Sequence, residues 1–340
     1  MKTLGRKIVF TALSLFVAGC AASTSVPKHG PIDRPMRSAS EISATTTTLR
    51  TIGFFGDTHV DSVNFALNAT HSAITADGVS RMAAEGCQDI LLLGDTMNHG
   101  YWKEATDAAA IMGAFYPHHV LATSGNHDPE DTRLTNPWHP FWSTFHTYQT
   151  QMWDDKIARL RLISWWSVWN NMDVTDSTAV AQRALLDYFC KTTPENWELV
   201  IAQHYPAYSQ IYRGGAQPVQ QDWFVPQIAE RYKVDLVLGA HSHGGPEVYC
   251  VALGKPIFVV SGGGGMELST VVPNFQYNFF YLNLWRDAGA PTMRHHYGVL
   301  RVSDAGLDVA FTSIAAADGP GGELLYQFFS PRQTINRRVL

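Results

Sequence analysis

Five short apolar runs in this chain end alike, in a small or polar residue followed by Asp, Asn or His. Phe54-Phe55 leads into Gly56-Asp57-Thr58-His59, and Leu91-Leu92-Leu93 into Gly94-Asp95. Val120-Leu121-Ala122 passes through Thr123-Ser124 to Gly125-Asn126-His127-Asp128. Val200-Ile201-Ala202 leads to Gln203-His204, and Val237-Leu238 to Gly239-Ala240-His241-Ser242-His243. Runs of this length suit buried strands. In an α/β sheet the carboxyl ends of parallel strands share one edge, and ligands bind in the crevice outside it. Five polar clusters at that edge predict a single site.

The surrounding pattern agrees. Apolar runs at 51–55, 89–93, 119–123, 160–165, 199–202, 236–238 and 257–260 read as strands. Segments 65–84, 103–115, 179–189 and 225–232 between them carry apolar residues at helical spacing. Such alternation argues for an α/β fold. Segments 276–284, 295–302 and 307–312 look strand-like without helices between them, and suggest a second, partly antiparallel sheet packed on the first. No structure is assigned past about Ala315.

Residue type then selects the chemistry. Carboxylate oxygen, amide oxygen and imidazole nitrogen suit hard or borderline metal ions. Asp57, His59, Asp95, Asn126, His204, His241 and His243 are too many for one tetrahedral ion, and the right number for two ions sharing a carboxylate. The net charge is −5 with no basic stripe, which argues against a nucleic-acid partner. An acidic chain that handles phosphate needs positive charge from elsewhere, and bound metals supply it.

Asp57-x-His59, Gly94-Asp95, Gly125-Asn126-His127-Asp128, His204 and His241-x-His243, in that order, resemble the calcineurin-like metallophosphoesterase family over roughly residues 50–265. The resemblance implies two packed mixed β-sheets flanked by helices, a four-layer sandwich. It implies a first metal held by Asp57, His59, Asp95 and His243, with Asp95 bridging to a second held by Asn126, His204 and His241. The two ions would be iron, zinc or manganese. His127 would face the substrate and protonate the leaving oxygen, with Asp128 orienting its ring. The implied reaction is hydrolysis of a small phosphate ester by metal-activated water, with monoesters ahead of diesters or nucleotides. A binding lipoprotein without turnover is the reading from another class. Segments 197–209 and 234–238 look most like the branch of tartrate-resistant and purple acid phosphatases. That branch has glycine and a metal-binding tyrosine where this chain has His59 and Asn98.

Lys2, Arg6 and Lys7 precede an apolar run, 8–18, too short to span a bilayer as a mature helix. Val17-Ala18-Gly19-Cys20 resembles a bacterial lipobox. Residues 1–19 are therefore read as a lipoprotein signal, with a lipid anchor on Cys20 of an exported protein; the alternative is a secretory signal cut near Ala21-Ala22-Ser23. Residues 20–49, rich in Ser, Thr, Pro and Ala, read as a tether. The catalytic domain is expected at 50–315 and a C-terminal extension at 316–340. With Cys20 lipidated, Cys87, Cys190 and Cys250 allow at most one bridge.

Other features carry plainer readings. His71, His118, His119, His146, His295 and His296 read as surface or core histidines. Asp61 is balanced between supporting the site and being a solvated loop residue. His99 and Tyr101 lie near enough to Asp95 to touch substrate, with surface placement the favoured reading; Tyr205, Tyr208, Arg213 and loop 129–141, with Trp138 and His139, are candidates for the pocket rim. Trp165, Trp166 and Trp169 read as core or domain surface. Gly262–Gly265 lacks the Lys and Ser/Thr of a P-loop and reads as a turn that lets backbone pass close to the site.

Overall fold

The computed structural model describes residues 47–128, 139–147, 150–167, 177–209, 220–250, 256–269, 293–317 and 319–332. The proposed leader, the strand expected at 276–284, and Trp138, Trp169 and Arg213 lie outside those residues, as does nearly all of the tether.

The described chain runs β1 (Thr48–Phe55), α1 (Phe65–Ala84), β2 (Asp89–Leu92), α2 (Trp102–Met112), β3 (Val120–Ala122), α3 (Pro140–Phe145), β4 (Gln151–Asp155), β5 (Leu160–Ser164), α4 (Ser177–Lys191) and β6 (Glu198–Ala202). A wide-turned helical segment, Gln220–Glu230, follows. Then come β7 (Leu236–Gly239), β8 (Glu247–Cys250), β9 (Ile257–Val260), β10 (His296–Ser303), β11 (Gly306–Ser313) and β12 (Leu324–Pro331). They form two six-stranded sheets, ordered β12-β11-β10-β1-β2-β3 and β4-β5-β6-β7-β9-β8. β1, β2 and β3 are parallel in the first. β5, β6, β7 and β9 are parallel in the second.

Side-chain alternation explains the layering. Phe54, Leu91, Leu162 and Val200 face the apolar layer between the sheets. Their chain neighbours Phe55 and Leu92 face outward onto α1, α2 and α3, through Met82, Ala108 and Trp142. Ile163 and Ile201 face α4 and the 220–230 helix, through Leu186 and Phe224. Strands buried on both faces read as continuous apolar runs, because neither face is solvated. The expected two mixed sheets flanked by helices are thus present as four layers.

Two expectations need correction. The strands expected at 295–302 and 307–312 do not build a separate sheet; β10 pairs antiparallel with β1, and β11 with β10. The second sheet is made by β5, β6, β7 and β9 instead. An apolar pattern fixes which face a residue takes and leaves the partner strand open. The sheet also continues past the expected limit at 315, since β12 pairs with β11. Just after β12, the Arg332 guanidinium donates to the carbonyls of Ala158, Asn196 and Ser303, tying the chain to both sheets.

Helix ends follow local chemistry. Asn64 caps α1 by accepting from Leu67 N–H, and left-handed Gly86 (φ 76°) follows its C-terminus. Gly113 (φ 53°) stops α2, so the segment expected as helix to 115 finishes in a tight single turn. Part of the expected rim loop is α3, with Pro140 at its first turn and His139 capping it. Cys87 and Cys190 are buried and neither is joined in a disulfide.

Candidate metal centre

The five motifs sit where the parallel strands of both sheets end, and the seven expected ligands meet there. Asp57 and His59 follow β1, Asp95 follows β2, Asn126 follows β3, His204 follows β6, and His241 and His243 follow β7. Asp57, His59, Asp95 and His243 each offer one donor atom within 4.8 Å of the others; Asp95, His204 and His241 form a second such group.

One atom belongs to both. Asp95 Oδ2 lies 3.5 Å from His59 Nε2 and 3.2 Å from His204 Nε2. On the first side, Asp57 Oδ1 lies 3.4 Å from His243 Nε2 and 3.9 Å from His59 Nε2. On the second, His204 Nε2 lies 3.2 Å from Asn126 Oδ1 and 3.1 Å from His241 Nδ1.

Three of the candidate ligands are held by their far sides. Asp57 Oδ2 accepts from His241 N–H and Asp95 Oδ1 from His127 N–H, leaving the other oxygen of each facing inward. His204 Nδ1 is 2.9 Å from Leu93 O, and because a carbonyl only accepts, it is Nε2 that carries the lone pair once the ring is neutral. Asp57 (φ 58°), His59 (φ 44°), Asp95 (φ 49°) and His241 (φ 67°) all take left-handed backbone. Strain of that kind costs about 1–3 kcal/mol per residue and collects at functional sites. A Cβ on Gly125 would stand 2.2 Å from Asp95 Oδ1, and one on Gly262 would stand 2.7 Å from Asp57 Oδ2. Gly262–Gly265 is therefore the close-approach turn its sequence suggests.

Whether a cation fits is decided by three buried atoms. Among the described residues, Asp57 Oδ1, His59 Nε2 and Asp95 Oδ2 have no hydrogen-bond partner. Leaving a buried polar atom unsatisfied costs about 1–3 kcal/mol, and all three belong to the first donor group. Mixed carboxylate and imidazole donors around such a point fit a divalent transition ion. A third group, Asp61, His99 and Glu104, is different. Its carboxylates accept from Val63, Asn64, Ser62 and His99 N–H, so it is a hydrogen-bonded brace.

Electrostatics of the metal-free protein follow from the same proximity. Burial pushes Asp57 up, but the His243 and His59 imidazoles outweigh it and hold the carboxyl well below the usual range. Asp95 is likewise buried, and His204 holds it well below that range. Burial drives His204 down, yet the Asp95 charge raises it to about 9. His241, buried and facing His204, falls to about 3.

His127 stands beside the centre, its ring 4.7 Å from that of His59. The expected role of Asp128 is corrected here. His127 Nδ1 is 2.9 Å from Asn98 O, and that carbonyl orients the ring. The Asp128 carboxylate instead accepts from Met97 and Gly125 N–H and braces the loop; burial and the nearby Asp95 charge raise it to about 7.

Other candidates separate cleanly. Asp61 is buried and accepts from Asn98 Nδ2, so it supports the site. Tyr205 packs edge-on against His241 at 4.4 Å, whereas Tyr208 lies in the outer core. His99 and Tyr101 stack on each other at 5.5 Å, with Tyr101 half exposed. His71, His295 and His296 are buried on backbone oxygens, His118, His119 and His146 are exposed, and Trp165 and Trp166 are core. Asn98 is the residue that the motifs missed.

The family model for calcineurin-like phosphoesterases matches residues 50–245, more than half the chain. The chain belongs to the calcineurin-like phosphoesterase family. Among solved structures, this phosphoesterase is similar to a purple acid phosphatase from yellow lupin seeds, at 15% identity and TM-score 0.60 over 85% of this chain and 54% of that one. It therefore spans about half the length of the lupin protein. It is also similar to GAP50, the anchor in the inner membrane complex of Plasmodium (14%, 0.62, 86% and 92%). A dimetal phosphatase from Danio rerio is a third (9%, 0.55, 84% and 100%). Among curated proteins no sequence match is found.

Proposed function

We propose that this calcineurin-like phosphoesterase hydrolyses phosphate esters, monoesters ahead of diesters, at a centre where Asp95 would help to hold two metal ions. One observation carries the reading: a single buried oxygen, Asp95 Oδ2, lies between two groups of donors that share nothing else. Asp57, His59 and His243 would complete one site, and Asn126, His204 and His241 the other. When bound, such ions supply Lewis acidity toward phosphoryl oxygens and make water a nucleophile near neutral pH.

The chain's own groups do the remaining work. His127 keeps its Nδ1 proton on Asn98 O, so in its imidazolium form Nε2 donates a proton to the leaving alkoxide. Tyr205 and the Gly262 turn wall the centre, which strengthens charge interactions inside it. A lipid anchor on Cys20 and export are part of the proposal, resting on the lipobox resemblance alone.

The test is purified protein assayed on an aryl phosphate monoester and a bis-aryl diester, before and after chelation. Faster monoester turnover that chelation abolishes and iron, zinc or manganese restores supports the proposal. A faster diester rate makes it a phosphodiesterase. No turnover with full metal content favours a binding protein, a role in keeping with the anchor GAP50.

A further inference from the structure

We propose that Asn98 is the positioning residue of the first metal site, held in place by Asp61 and setting which nitrogen of His59 meets the metal. The inference rests on the dinuclear reading above. The Asn98 side chain lies between two groups: Nδ2 donates to Asp61 Oδ2 at 2.9 Å, and Oδ1 is 2.9 Å from His59 Nδ1. Asp61 accepts only, so it fixes which end of the amide faces it. Oδ1 is thereby turned to His59, where it accepts, and Nδ1 carries the proton. The remaining nitrogen, Nε2, is buried, faces Asp57 and Asp95, and has no hydrogen-bond partner among the described residues. Asp61 is itself fixed, since its Oδ1 accepts from Val63 and Asn64 N–H. The Asn98 backbone oxygen holds His127 at the same time. One residue thus sets a metal ligand with its side chain and the proton donor with its backbone. A side-chain substitution separates the two tasks.

Metal content and zinc affinity of wild type, Asn98→Leu, Asn98→Asp, Asp61→Asn and the double Asp61→Asn/Asn98→Asp variant test this, with the visible spectrum of the cobalt-loaded forms. Outer partners of metal-bound histidines are worth about 10- to 100-fold in affinity. Asn98→Leu should weaken one of the two ions by that factor, alter the cobalt spectrum, and recover most turnover at saturating metal because His127 keeps its carbonyl. Asn98→Asp sets two carboxylates against each other and should also weaken that ion. The double variant, which exchanges amide and acid, should bind within about threefold of wild type, a rescue that a packing role would not give. Two ions at wild-type affinity in Asn98→Leu, or a double variant no better than Asn98→Asp, would overturn the inference and leave the dinuclear reading intact. A wild type that binds no metal would instead remove that reading.

Discussion

Each carboxylate at the centre spends one oxygen on a backbone N–H and turns the other inward, and this division makes single substitutions informative. Asp95→Asn keeps the bond to His127 N–H but puts an amide where one oxygen lies between two donor groups. Metal content should fall from two ions per chain to below one; a mutant retaining both would show that Asp95 does not bridge. His127→Ala removes the proposed proton donor and leaves every candidate ligand residue in place. It should lower kcat about 10²- to 10⁴-fold with metal content unchanged, and loss of metal instead would reassign its role.

The imidazoles also predict a pH dependence. In metal-free protein His204 is raised above the ordinary 6.5 to about 9. A raised base stabilises the fold fully below the unfolded value, and that contribution is lost as pH rises through 9. His204 therefore carries a proton at pH 7 that a cation must displace, while His241, at about 3, does not. Zinc binding at pH 7 should release protons, and apparent affinity should rise as much as tenfold per unit toward pH 9. Calorimetry in buffers of different ionisation heat measures the release; pH-independent binding would contradict it.

At the scale of elements, close approach does what no single motif residue announces. Gly125→Ala would drive a methyl into the Asp95 side chain. It should cost metal nearly as much as Asp95→Asn does, without altering a ligand; normal metal content would mean the loop relaxes freely. Arg332 tests the corrected boundary. Its donors reach carbonyls on both sheets, so Arg332→Ala should lower stability by about 2–3 kcal/mol in urea unfolding. A change below about 0.5 kcal/mol would show that the chain past 315 is dispensable. β12 carries an apolar run, Leu324-Leu325-Tyr326 and Phe328-Phe329, but follows an irregular Gly- and Pro-containing stretch, and its pairing with β11 at the sheet edge is not encoded locally. α1 was legible in full, since Asn64 and Gly86 mark its ends locally. β10 looked like a strand, but its pairing with β1 joins residues some 250 apart, which no local pattern encodes.

For the whole molecule, the decisive arrangement is that the parallel ends of two packed sheets open onto one small volume. The sequence showed which residues cluster there because each follows a strand directly. It marked Asn98 only as standing where the purple acid phosphatases have a metal-binding tyrosine, and could not show its partners His59 and Asp61, 39 and 37 residues away, or the Asn98 carbonyl that replaces Asp128 behind His127. Those contacts arise only once the loops after β1, β2 and β3 stand side by side. Anomalous diffraction at the absorption edge of the metal found in the purified protein locates the ions themselves. Two peaks flanking Asp95 Oδ2, one toward His59 and His243 and one toward His204 and His241, are predicted. A single peak, or metal bound away from Asp95, would contradict it.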